Sequence, residues 1–214
     1  IVNNENVMVN LVFVFSCVAG AITWREDRHI SLASLSDLFP KKVKDVILQI
    51  RAAAIPAILC AMFFSAFSEF FQIFTWSQRI WGIPLRLIFA FLPLAYLTML
   101  VRSCFQKEYK IASIIGLVLG LILAAGPISG VLYYIFQLDN LNILYSISNG
   151  WNSLAGVAFV PLIIVLIILA IMGVPLFIAL AGIAYIAFSQ GGGYVEVMSQ
   201  EAYSVLIDSS IAAI

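Results

Sequence analysis

Residues 52–75 read AAAIPAILCAMFFSAFSEFFQIFT, an apolar run carrying a single charge, Glu69. A helix crosses a hydrocarbon core of about 30 Å with about 20 apolar residues, so this run is long enough to span. Backbone in lipid must satisfy its own hydrogen bonds, which leaves helices and closed barrels. The run has none of the strict two-residue alternation of a barrel strand and reads as a membrane helix. Outward from it lie further apolar runs at 7–24, 84–101, 111–135 and 154–172, with a shorter one at 176–188. The expected fold is all-α: a polytopic membrane protein of about six membrane segments plus an interfacial amphipathic helix.

Composition agrees. Of 214 residues 63% are hydrophobic and 10% charged, with mean hydropathy +1.08, against about 25% charged in ordinary soluble domains. A single water-soluble core could not hide this much apolar surface. Zero formal net charge removes the basic footprint of a nucleic-acid partner, leaving the lipid bilayer as the expected surroundings. Cys17, Cys60 and Cys104 are odd in number and widely spaced, which supports neither a disulfide framework nor a zinc site.

The balanced total conceals an asymmetry. All 11 Lys and Arg residues precede position 111. Arg25, Arg28, Lys41, Lys42, Lys44 and Arg51 surround the first connection, Arg79 and Arg86 the second, and Arg102, Lys107 and Lys110 the third. By the positive-inside rule the first and third connections are cytoplasmic and the second external. The connection 136–153 has no Lys or Arg and reads as an external loop. Trp76, Trp81, Tyr133, Tyr134, Tyr145 and Trp151 suit the external aromatic belt.

Leu32, Leu35, Leu38 and Phe39 repeat at helical spacing and predict a short interfacial helix over 31–39. Pro40 opens the next helix, whose face Val43, Val46, Ile47 and Ile50 lies along the headgroups before 52–75 turns into the membrane. Pro56, Pro93, Pro127, Pro161 and Pro175 predict kinks or breaks. Gly173-Val174-Pro175 reads as a tight turn, and 194–214 is polar enough to be interfacial or packed inside a bundle.

Few residues carry candidate chemistry. Glu69 lies inside a span, where carboxylates serve as ion ligands or proton relays or pair with a cation. Arg86, entering from the same side at similar depth, is its expected partner in an intramembrane ion pair. His29 is the only histidine; a switch or ligand role is open to it, but a headgroup or helix contact is the simpler reading. Gly191-Gly192-Gly193 lacks the Lys-Ser/Thr of a phosphate loop and reads as a connection. With one histidine no Ser/His/Asp set can be assembled, so no catalytic residue is assigned and no enzyme is expected.

Gly20-Ala21, Arg25, His29-Ile30 and Leu38-Phe39-Pro40-Lys41-Lys42 resemble the small membrane subunit (Q) of tripartite ATP-independent periplasmic (TRAP) transporters. Residues 162–188, through Gly173-Val174-Pro175 and Phe177-Ile178-Ala179-Leu180-Ala181-Gly182, are similar to the start of the large (M) subunit, as is 203–214 to the segment that follows it. Gly20, Ala21, Arg25, His29, Gly173 and Pro175 are thereby structural positions of the family pattern.

The resemblance implies fused Q and M subunits, truncated at both ends. Residues 1–110 are Q-like with the first helix missing, 111–153 a connecting helix and external loop, and 154–214 the start of the M-like transport domain. It further implies sodium-driven uptake of organic acid anions across the bacterial inner membrane, with a periplasmic substrate-binding protein and the remainder of the large subunit as partners. Sodium is then the coupling ion, with no other cofactor. The sodium and substrate ligands belong to regions outside this stretch, which is mainly scaffold. The alternative is a non-transporting membrane scaffold or assembly protein.

Overall fold

The computed structural model describes residues 2–25, 40–72, 76–80, 82–105, 109–138, 140–191, 195 and 197–207. Helix α1 (Val2–Arg25) is followed by α2 (Lys41–Gln72), a short hairpin of β1 (Arg79–Ile80) and β2 (Ile83–Pro84), then α3 (Leu85–Phe89) and α4 (Phe91–Cys104). The second half comprises α5 (Lys110–Leu123), α6 (Ala125–Phe136), α7 (Asn142–Val157), α8 (Phe159–Ile171), α9 (Leu176–Gln190) and α10 (Val197–Leu206). Three helical stretches, Asn6–Trp24, Lys41–Gln72 and Leu85–Cys104, are each long and apolar enough to cross a membrane. Two bent pairs, α5 with α6 and α7 with α8, raise that number to 5 if each pair is one span, and α9 is a shorter apolar helix. The chain is an all-α polytopic protein.

The centre is α2, against which α4, α5, α6, α9 and α10 all pack. Its core face, with Ile55, Leu59 and Met62 buried, meets Leu166 of α8 and Ile178, Tyr185 and Ile186 of α9. A second cluster gathers Phe13 and Cys17 of α1, Phe89, Ala95 and Tyr203. The outward faces are apolar too. Leu11, Phe15, Ile114, Val118, Ile164 and Ile168 are all exposed, an apolar exterior of a kind soluble monomers rarely carry and lipid covers.

Helix directions follow from the contacts. Gly116 sits against Ala53, Gly120 against Ala57 and Cys60, and Gly130 against Ser68 and Gln72, so α5 and α6 both advance along α2 in its own direction. Phe13 stacks on Phe89 at 6.5 Å while Gly20 faces Met99, so α1 and α4 run parallel to each other. The first and third connections therefore share one end of the bundle, the basic end. The hairpin bearing Arg79 lies at the other.

The structure departs from the sequence reading in three places. Residues 41–50 do not form a separate interfacial helix: α2 runs unbroken for 32 residues, about 48 Å, through the fully buried Pro56. The run 111–135 bends by 64° between α5 and α6, at the break that Pro127 predicts. The connection 136–153 is not a loop: α7 occupies most of it and meets α8 at 85°. Its Asn, Ser and Gly content masked a helical stripe of Leu141, Leu144, Ile147, Trp151 and Ala155, all at least partly buried. The hairpin around Gly82, which has φ +80°, was not foreseen either. The segment 31–39, Trp81 and His29 lie outside the described residues.

The breaks share a cause. They fall at Ala90, Ala124 and Ala158, each three residues before Pro93, Pro127 or Pro161. The first-turn N–H groups of any helix lack an intrahelical acceptor, so a proline placed there forfeits no bond within its own helix. Each proline is thus accommodated by starting a new helix ahead of it. The turn into α9 works differently. Val174 N–H bonds Leu169 C=O at 3.0 Å and Gly173 N–H bonds Ala170 C=O at 3.1 Å, the paired bonds of a Schellman cap. Gly173 takes φ +98°. A Cβ there costs about 1–2 kcal/mol, so Gly173→Ala is expected to lower the thermal midpoint in detergent by several degrees, with Gly191→Ala, at ordinary φ, the control.

Candidate functional site: a buried charge and a cavity at a helix break

Glu69 is completely buried on α2 and Arg86 is 7% exposed in the first turn of α3. The Arg86 guanidinium lies over the Phe70 ring at 4.5 Å from its centroid, with Phe71 and Trp76 at 5.2 Å each. A cation against three aromatic faces is stabilised by their quadrupoles, more so when withdrawn from water. The hairpin β1–β2 returns the chain so that α3 begins beside the last turn of α2, placing Arg86 against the residues that follow Glu69. Both charges predicted to sit within the span are therefore buried in one region. The aromatic surround was not foreseen, because Trp76 belongs to the connection and not to a span.

The remaining predicted positions lie towards the basic end. Gly20 leaves 3.3 Å between an added Cβ and Met99 Cε; Ala21 packs half-buried against both apolar clusters. Arg25 closes α1. Trp24, beside it, meets Phe177 edge-to-face at 5.9 Å, bringing the end of α1 to the first turn of α9. Gly173 is the left-handed residue of the cap, and Pro175 accepts the first bonds of α9 from Ile178 and Ala179. The end of α1 and the start of α9 therefore meet through Trp24 and Phe177.

Three features lay outside the sequence reading. Ser113, Gly116 and Gly120, all buried, form a small-residue stripe on α5 that admits α2 at backbone contact. A Cβ on Gly116 would overlap the Ala53 carbonyl, and one on Gly120 would lie 2.6 Å from Cys60 Cβ and 2.7 Å from the Ala57 carbonyl. The spacing Gly116-Leu-Val-Leu-Gly120 was available as a signal.

Second, α10 docks inside the bundle. The Ser65 hydroxyl donates to the Val195 carbonyl at 2.9 Å. The Tyr203 hydroxyl donates to Asn10 Oδ1 at 2.6 Å. Burial pushes the Tyr203 phenol up to about 12, the Asn10 bond pulling back against it, so the hydroxyl keeps its proton and donates throughout the physiological range.

Third, a cavity of about 740 Å³ opens beside the α5–α6 break, between α6, α7 and α9. Pro127 has no N–H for the Leu123 carbonyl; the Tyr185 hydroxyl bonds that carbonyl instead, at 2.6 Å. One turn along α9, Ser189 accepts from Trp151 Nε1 at 2.8 Å and donates to the Tyr185 carbonyl at 2.8 Å. These bonds tie α5, α7 and α9 around the break.

A bundle of apolar-surfaced helices with broken members and buried polar ties defines a polytopic helical membrane protein. Its family is narrower: residues 1–107 match the model of the tripartite ATP-independent periplasmic transporters, DctQ component, and the chain belongs to that family. It is a membrane component of a TRAP transporter. No curated protein and no solved structure matches it.

Proposed function

We propose that the chain serves in a sodium-driven secondary transporter that takes up organic acid anions delivered by a periplasmic binding protein, and that this stretch is mainly scaffold. The family match over 1–107 carries the reading. The centrality of α2 supports the scaffold role, because every helix leaning on it is held at fixed depth. In this reading 154–214 is the start of a fused large subunit, the bacterial inner membrane is the location, and sodium is the only ion required. The test is uptake by the complete transporter in proteoliposomes. Accumulation of an organic acid anion that requires both a sodium gradient and the binding protein is expected. Uptake indifferent to both overturns the proposal.

Glu69 and Arg86 are proposed as a charge-compensating pair within this scaffold. Breaking a buried pair by neutralising one member costs about 3 kcal/mol, whereas neutralising both removes the uncompensated charge. Glu69→Gln is therefore expected to lower the thermal midpoint more than Glu69→Gln with Arg86→Gln. The Arg86→Gln single variant completes the cycle and isolates the pairwise coupling from lost ring stacking. Additive losses would refute the pairing.

A further inference from the structure

The cavity at the α5–α6 break lies where an apolar lining would be expected, yet much of its lining is polar. Gly120 meets α2 at Ala57 and Cys60, in the first half of the apolar stretch 52–72, and the break at Ala124 comes one turn further along, so it sits near mid-depth. From there α6 continues for about 15 Å of helix to Tyr133 and Tyr134, Gly130 meeting Ser68 and Gln72 of α2 on the way, towards the end away from the basic residues. Over that distance the cavity wall presents Ser148, Asn149 and Asn152 of α7, with Tyr145 above them. Ser148, Asn149 and Asn152 fall on one face of α7 by their spacing. Asn152 Oδ1 is buried and accepts no hydrogen bond among the described residues.

Polar side chains at this depth face either the bundle interior or water. No described residue lining the cavity carries a charge. Its volume of about 740 Å³ corresponds to on the order of two dozen waters at liquid density.

We propose that this cavity is an aqueous vestibule, open at the end opposite the basic residues and reaching to mid-bilayer, which admits water and small neutral hydrogen-bonding solutes in preference to anions. Tyrosine hydroxyls, serine hydroxyls and asparagine amides offer both donors and acceptors, while nothing among the described lining residues compensates an anionic charge that leaves bulk water. The proposal rests on the geometry and the charge-derived orientation, independently of the transport reading, and its test involves no transport.

The test is thiol modification of the full chain in sealed, right-side-out vesicles. Ser148→Cys, Asn149→Cys and the lipid-facing Ile164→Cys are each placed on a background of Cys17→Ala, Cys60→Ala and Cys104→Ala. Membrane-impermeant reagents, one neutral and one anionic but of similar size, are added outside. The neutral reagent is expected to modify Ser148→Cys and Asn149→Cys at least tenfold faster than Ile164→Cys, and faster than the anionic reagent does. Folding of each variant is checked by its gel-filtration profile, and reactivity after denaturation confirms a competent thiol; two cavity positions guard against loss of one. Rates at both cavity positions no faster than at Ile164→Cys, modification only from the basic side, or equal rates for the two reagents would each overturn the proposal.

Discussion

Replacing Gly120 with leucine is expected to separate α5 from α2 and to cost the protein its compact fold. The small-residue stripe places Gly120 so close that even a methyl group would lie 2.6 Å from Cys60 Cβ and 2.7 Å from a backbone carbonyl. Neither obstacle is the end of a flexible side chain, so relief requires the helices to move apart along the contact that also holds Gly116 against Ala53. Overpacking a tight interior costs about 1–3 kcal/mol and occasionally more; a leucine against backbone belongs at the upper end. At about 2–4 °C per kcal/mol for a chain of this size, the thermal midpoint should fall by about 6–12 °C or the protein should aggregate on extraction. Val118→Leu, on the exposed face of the same helix, should leave the midpoint nearly unchanged. A Gly120→Leu protein as stable as that control would show that the two helices do not rely on close approach.

The second large effect concerns the Tyr185 hydroxyl. It bonds the Leu123 carbonyl that Pro127 deprives of an N–H, and Tyr185 itself is buried. Tyr185→Phe keeps the ring and removes only the donor. An orphaned buried carbonyl costs about 1–3 kcal/mol. Introducing Pro127→Ala restores a backbone N–H able to reach Leu123. Tyr185→Phe should then cost markedly less on the Pro127→Ala background than on the native one, read as the difference between two midpoint shifts. Equal shifts on the two backgrounds would refute the account of the break.

Much of the architecture was readable from residue order because apolar length and basic charge act locally. The run 52–75 needs no partner to be a membrane helix, and Lys41, Lys42, Arg102 and Lys110 locate a common end without knowledge of any contact. Prolines 127 and 161 announced breaks, but bends of 64° and 85° depend on which neighbours satisfy the freed groups. For Pro127 that neighbour is Tyr185, 62 residues away from Leu123. Helix α7 was hidden by its own polarity, since asparagines and serines that signal a loop at a surface signal a cavity within a bundle. The bond from Tyr203 to Asn10 spans 193 positions, and nothing local in either residue announces it. Glu69 and Arg86 were legible as buried charges; the rings of Phe70, Phe71 and Trp76 were not, because they act only once the hairpin has turned.

The long separations carry a consequence for how the protein is made. Ser65 finds its acceptor on Val195, 130 residues later, and chains grow at about 5–20 residues per second. Helix α2 therefore enters the membrane about 7–26 seconds before its buried serine can be satisfied by Val195. During that interval its alanine-rich flank waits for α5 at little cost, since lipid tolerates small apolar groups. The flank bearing Ser65, Ser68 and Glu69 is in a harder position and must be sheltered, by early neighbours or by the insertion machinery, until the C-terminal helices are synthesised. The order of translation thus divides α2 into a face that is ready for lipid and one that is not.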